Sequence, residues 1–387
     1  MAILRSVRES RNRRRYQRER VAADTTRVCN ALATNMYFSV NGTVSPCWLH
    51  FGLKPPKWSN KRSIEDIWFG PEFSRPRKAL AAGRFPRPCK ACEVDIDAGR
   101  LPLAAAYDNE HPIGDWPTML ELELSNLCNL ECVMCSGQLS SRIRKYREHK
   151  PPIESPYDES FVDQVAALLP HLHEIRFNGG EPLLQPIVRQ ITDRIARDRP
   201  DLKVTIATNG TVLNRHVHEL LARCNVHINI SIDSLIPERY AEIRVNGDLR
   251  DVLDNFEVYH RYCREGDRNL CVMVNPMRVN WDEMATYVRW CNDRNVHLWF
   301  NTIRYPEHLA LHNLPAADLE HIRSTLLAEE LPEAGPGPED DIRRNNIEVF
   351  RRFVDGQLAS WLAEARRDDH RSVGVPVSIS PSPKAAH

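Results

Sequence analysis

The chain has 387 residues, enough to bury the core of a barrel-sized domain with a smaller companion. Lysine plus arginine and aspartate plus glutamate both number 52, so no net field draws nucleic acid or an acidic partner. No apolar run reaches the roughly 18 residues of a membrane span, and the N-terminus lacks the apolar centre of a signal peptide. With eleven cysteines, that predicts a cytoplasmic protein whose clustered thiols bind metal more readily than they form disulfides.

The first twenty residues hold eight arginines, and residues 1–26 read as a disordered, solvated arm. Residues 27–93 form a cysteine-bearing segment with many prolines and tryptophans. Asn41-Gly42 is a hairpin turn between residues 37–40 and the stretch holding Cys47. Such a hairpin brings Cys29 to Cys47, with Cys89 and Cys92 as the other half of a sulfur cage. Four thiolates hold either Zn²⁺ or a fully ligated iron-sulfur cluster, and the spacing leaves both open. Residues 94–115 read as a linker.

Strand-like and helix-like segments alternate over residues 116–310. Strands are predicted at 120–125, 174–177, 203–208, 226–232, 270–275 and 296–302, with helices at 159–169, 186–197, 213–223, 251–264 and 281–293. Six alternations predict an α/β fold of parallel strands with right-handed crossovers. Six falls short of the eight that close a barrel, so the expectation is a partial (β/α)6 TIM-like barrel beside the small N-terminal hairpin domain. Residues 311–371 read as a helical C-terminal region and 372–387 as a disordered tail.

The chemistry concentrates at strand ends. Cys128, Cys132 and Cys135 lie within eight residues, in the loop after the first core strand. Three thiolates hold three corners of a four-iron cluster and leave one iron open, whereas an electron-transfer cluster takes four. The second strand ends in Asn178-Gly179-Gly180-Glu181-Pro182, where glycines let backbone approach a ligand and a carboxylate can receive an ammonium. Asn209 ends the third strand; Ser231 and Asp233 end the fourth, suited to ribose hydroxyls. Arg244 is a partner for a carboxylate or a plain surface residue. Asn275, Asn280, Asn301 and Arg304 are weaker strand-end candidates for facing a substrate.

The C-x3-C-x2-C triplet with the Gly-Gly-Glu turn resembles the radical S-adenosylmethionine (SAM) enzymes. The spacing of Cys29, Gly42, Cys47, Cys89 and Cys92 resembles half of a SPASM or twitch auxiliary-cluster domain, here ahead of the core instead of after it. The resemblance implies that Cys128, Cys132 and Cys135 hold a SAM-cleaving [4Fe-4S] cluster. It implies that Gly179, Gly180 and Glu181 receive the methionyl amino group, and that Asn209, Ser231, Asp233 and Arg244 contact ribose or carboxylate. Met134 stands where the family often has an aromatic residue near adenine, and its polarizable sulfur suits a purine face. One auxiliary [4Fe-4S] cluster, or zinc, is expected on the other four cysteines.

The implied reaction is reductive cleavage of SAM to a 5′-deoxyadenosyl radical, which abstracts a hydrogen atom. An electron donor such as flavodoxin or ferredoxin is the implied partner. Oxidation or rearrangement of a sugar, aminocyclitol or nucleoside is expected, because so few residues precede Cys29 that no leader-peptide-binding domain fits there. Peptide modification is the alternative. A non-catalytic iron-sulfur carrier or a zinc-stabilised binding module is the reading from another class.

Overall fold

The computed structural model describes residues 2–20, 27–48, 54–99, 103–108 and 113–367; the expected tail at 372–387 lies outside these residues. The chain divides into two compact units. One comprises the chain up to Leu127 with Pro151–Ile206 and Arg215–Val226; the other comprises Cys128–Lys150, Ala207–Asn214 and the chain from His227.

In the first unit, β1 (Asn35–Phe38) pairs antiparallel with β2 (Val44–Ser45) across the Asn41-Gly42 turn, where Gly42 takes φ +82°. On its other edge β1 pairs in parallel with β3 (Met119–Leu122), which pairs in parallel with β4 (Glu174–Phe177) and that with β5 (Lys203–Thr208). The hairpin expected to stand in a separate small domain is therefore the continuation of the core sheet. Its register places Tyr37 opposite Glu121 and Phe38 opposite Leu122.

Local sequence explains the helices between these strands. Asp158 accepts hydrogen bonds from the Ser160 and Phe161 amides and starts the helix Glu159–Leu168. Pro186 opens Pro186–Asp198, whose Val188, Ile191 and Ile195 are buried at helical spacing. In the second unit β6 (Asn225–Ser231), β7 (Leu270–Val274) and β8 (His297–Phe300) run parallel in that order. The six βα repeats from β3 to β8 give an α/β fold with parallel strands, in keeping with a partial TIM-like barrel. Helices Ala316–Leu327, Asp341–Arg351 and Ala359–Arg367 follow.

Two expectations need correction. Residues Ala2–Glu19, read as a disordered arm, form a helix. Arginine is a good helix former, and this helix has partners: Arg13 bonds Asp97 and Glu93, while Asn12 and Arg15 donate to the Asp97 and Gly99 carbonyls. The partners belong to, or follow, the helix Lys90–Ala98. Described parts of the supposed linker are also structured: that helix runs into it, and Tyr107 is buried with its hydroxyl donating to Glu121.

Candidate active site

The cysteine loop belongs to the second unit and is fastened along its length. Its amides at Glu131 and Val133 donate to the Val245 and Ile243 carbonyls at 3.0 and 2.9 Å. The Ser140 hydroxyl donates to the Leu130 carbonyl, and Arg147 donates to the carbonyls of Glu131 and Cys132. Cys135 folds back on Cys132 through a 3.0 Å amide bond. Burial pushes the Cys132 thiol up to about 12 and Cys135 to about 11; the neighbouring thiols add to the rise and Arg244 opposes it. Among the described residues no three His, Cys, Asp or Glu side chains close on one ion-sized point. A four-iron cube takes each thiolate on a different iron, so a soft three-thiol set fits it.

Around the loop the predicted polar residues are engaged with the protein. The Asn209 amide donates to Asn129 at 2.9 Å and lies 3.9 Å from the Cys128 sulfur, while its carbonyl oxygen accepts from Thr211. Asn209 thus braces the start of the cysteine loop within the second unit. Arg244 is no surface residue: it is buried, paired with Asp233 at 2.7 Å, and its Nη1 lies 3.9 Å from the Cys132 sulfur. Its Nε is buried without a partner, a donor left over beside the thiols.

Asp233 is 0% exposed, and its second oxygen accepts from the Asn275 amide and side chain. Asn280 donates to the Asp233 carbonyl and accepts from the Met277 amide. Asp233 therefore pairs with Arg244, and Asn275 and Asn280 hold Asp233 in place. Ser231 is half-buried at the end of β6, Asn301 is half-buried after β8, and Arg304 is exposed. Met134 packs with Val133 against Ile243, Met277 and Leu309.

The glycine turn belongs to the first unit. Gly179 and Gly180 have φ +73° and +55°, the left-handed region that glycine adopts without strain. A Cβ on Gly179 would lie 2.0 Å from Glu123 Cγ, and one on Gly180 would lie 2.5 Å from the Leu127 carbonyl. The Glu181 amide donates 2.7 Å to that same carbonyl, one residue before Cys128 in the chain. The Glu181 carboxylate is 0% exposed and accepts from the Leu183 amide. It caps the following turn, Pro182–Leu184.

Sequence reasoning missed the residue beside that turn. Glu123 is the last acid of an alternating Leu-Glu-Leu-Glu run and accepts from the Tyr37 hydroxyl at 2.8 Å. Burial and the nearby Glu121 push its carboxyl up to about 7, against the Tyr37 hydrogen bond. Asn178, before the glycines, donates to Glu121 at 3.2 Å.

The other four cysteines also belong to the first unit. Cys29 follows the Arg27–Val28 bend, Cys47 follows β2, and Cys89 and Cys92 lie at the start of the helix Lys90–Ala98. Cys29 and Cys47 pack on one cluster of Ala31, Tyr107 and Met119. The Cys29 thiol is pushed up to about 12 by burial and further by Cys89 and Cys92, so three of the four thiols are electrostatic neighbours. The remaining cysteines, Cys224, Cys263, Cys271 and Cys291, are buried.

Residues 122–291 match the radical SAM superfamily, and residues 29–93 match the SPASM iron-sulfur cluster-binding domain. The GTP 3′,8-cyclase of Rhizobium etli is 30% identical over 205 residues, 51% of this chain and 55% of the relative. The molybdenum cofactor biosynthesis protein moc-5 of Caenorhabditis elegans is 26% identical over 212 residues, 54% of this chain and 33% of the relative. Streptococcus suis SuiB bound to SAM is similar at a TM-score of 0.41 and 14% identity, over 66% of this chain and 56% of that one. The chain spans about half the length of the curated cyclases it matches.

Proposed function

We propose a reaction for this chain from one premise: it belongs to the radical SAM superfamily and carries a SPASM iron-sulfur domain ahead of the radical SAM domain. Bound on a [4Fe-4S] cluster and reduced by one electron, SAM supplies a 5′-deoxyadenosyl radical that takes a hydrogen atom from a substrate. Cys128, Cys132 and Cys135 hold the cluster, and the three-thiol loop is the observation that carries this reading. Gly179 and Gly180 offer backbone to the methionyl group, with Glu181 capping the turn behind them.

Arg244, held by Asp233, directs its spare Nε toward the SAM carboxylate or a cluster sulfur. Asn209 keeps the Cys128 end of the loop in place and Met134 lines the purine side. Cys29, Cys47, Cys89 and Cys92 hold one auxiliary [4Fe-4S] cluster, which can take the electron left on the substrate radical. Flavodoxin or ferredoxin is the electron source we expect.

The substrate is a small polar metabolite. The first unit supports this with polar side chains on one face of its parallel strands: Tyr37, Glu121, Glu123, Arg176 and Asn178 alternate with fully buried Leu120, Leu122, Ile175 and Phe177. The names of the cyclase relatives favour a nucleotide among such metabolites.

The test is anaerobic reconstitution with dithionite and SAM, followed by chromatography for 5′-deoxyadenosine and by deuterium transfer from labelled candidate metabolites. Formation of 5′-deoxyadenosine that Cys132→Ala abolishes is the expected result. Iron-free, zinc-loaded protein with no SAM cleavage sinks the reading and leaves the zinc-stabilised binding module.

A further inference from the structure

The arginine-rich N-terminal helix lies outside both matched segments, yet its C-terminal half reaches the auxiliary cysteine segments. Its Arg13 bonds Asp97 and Glu93 on the helix that carries Cys92. Three residues further on Tyr16 donates to the Val28 carbonyl, and Arg20, just past the helix, donates to the Arg27 carbonyl, the two residues before Cys29 in the chain. Arg20 also grips Asp108 with two hydrogen bonds, and the side chains are 1% and 7% exposed. A buried guanidinium is costly to desolvate and is seldom placed without an anion to answer it. Asp108 answers one side; on the other, Arg20 donates to the Arg27 carbonyl, two residues before Cys29 in the chain.

We propose that Arg20 is a charge-compensating positioning residue of the auxiliary cluster, held at the segment that leads into Cys29 by the N-terminal helix. This rests on the reading that Cys29, Cys47, Cys89 and Cys92 carry a cluster. Adding one electron makes a thiolate-bound cluster more negative, and a nearby cation in a low-dielectric site favours that more negative state. Arg20 therefore raises the reduction potential of the auxiliary cluster, making it a better acceptor for an electron leaving a substrate radical. Asp108 opposes this in part.

The test uses full-length protein reconstituted without oxygen, with iron counted and each cluster titrated by EPR-monitored potentiometry. Two clusters mean about eight irons per chain, falling to about four in Cys92→Ala. Arg20→Gln is expected to shift the auxiliary potential downward, Asp108→Asn to shift it upward, and neither to move the core cluster. An auxiliary cluster that assembles in Arg20→Gln with an unchanged potential overturns the proposal. Should Arg20→Gln lose the auxiliary iron, Arg20→Lys decides: cluster and potential restored support the cation, while loss in both shows a purely structural contact and overturns it. A wild-type chain with about four irons sinks the auxiliary-cluster reading itself, and this inference falls with it.

Discussion

The two cysteine sets are spaced along the chain in opposite ways. The core set is local: three thiols within eight residues, on a loop pinned by amides two residues apart at Glu131 and Val133. The auxiliary set is dispersed from Cys29 to Cys92 and depends on a hairpin, a helix start and an added N-terminal helix. Closing long loops costs chain entropy that grows with length, so the dispersed site needs contacts that its own cysteines do not supply. The ion pairs of Arg13 and Arg20 are of that kind.

The largest expected effect separates the two sets directly. Cys132→Ala removes SAM cleavage down to background. Cys92→Ala leaves 5′-deoxyadenosine formation in place, halves the iron, and lowers yield of oxidised product. Chromatography of both products on matched, iron-quantified samples checks this. Equal loss of SAM cleavage in the two variants breaks the distinction.

Next in size is the brace behind the core loop. Asp233→Ala strips Arg244 of its anion in a fully buried setting, and removing one partner of such a pair costs about 3–5 kcal/mol. Denaturant unfolding of the apo-protein measures it. Less than about 1 kcal/mol would mean that the pair is not desolvated in solution.

The hairpin gives a smaller effect. Gly42→Ala forces a Cβ onto a φ of +82° at 3.0 Å from Pro156 Cγ, for about 1–2 kcal/mol. The loss should appear as weaker retention of auxiliary iron, measured by chelator challenge, while core iron is unchanged.

What was legible in the sequence follows the same division. Strands at Glu174–Phe177 and Lys203–Thr208, the cysteine triplet and the glycine turn are encoded within a few residues and are found where periodicity and spacing put them. Asp233, Asn275 and Asn280 sit at strand ends as expected, but the links of Asp233 to Arg244, Asn275 and Asn280 each span 11 or more residues, and no local signal shows them. The N-terminal helix fails for a related reason: an arginine run reads as solvated until its acidic partners near residue 97 are known. The Leu-Glu-Leu-Glu alternation marked a strand and hid a burial. β1 pairs along the edge of β3, and on that strand and just past it Glu121 is buried and Glu123 half-buried.

Glu123 turns that last point into the smallest and sharpest test, because Tyr37 lies on the hairpin and Glu123 on the core strand. A carboxyl raised from 4.5 to about 7 binds a proton in the folded chain that the unfolded chain has already released. Stability is then undiminished below about pH 4.5, declines as pH rises toward 7, and levels off above. The full decline is at most about 3 kcal/mol. Glu123→Gln should flatten this slope. In Tyr37→Phe the bond that favours the carboxylate is gone, so the decline should extend above pH 7 and deepen by about 1 kcal/mol. Unfolding free energies at a series of pH values check both. A wild-type slope that survives in Glu123→Gln would show that another acid carries it and that the hairpin does not press on Glu123.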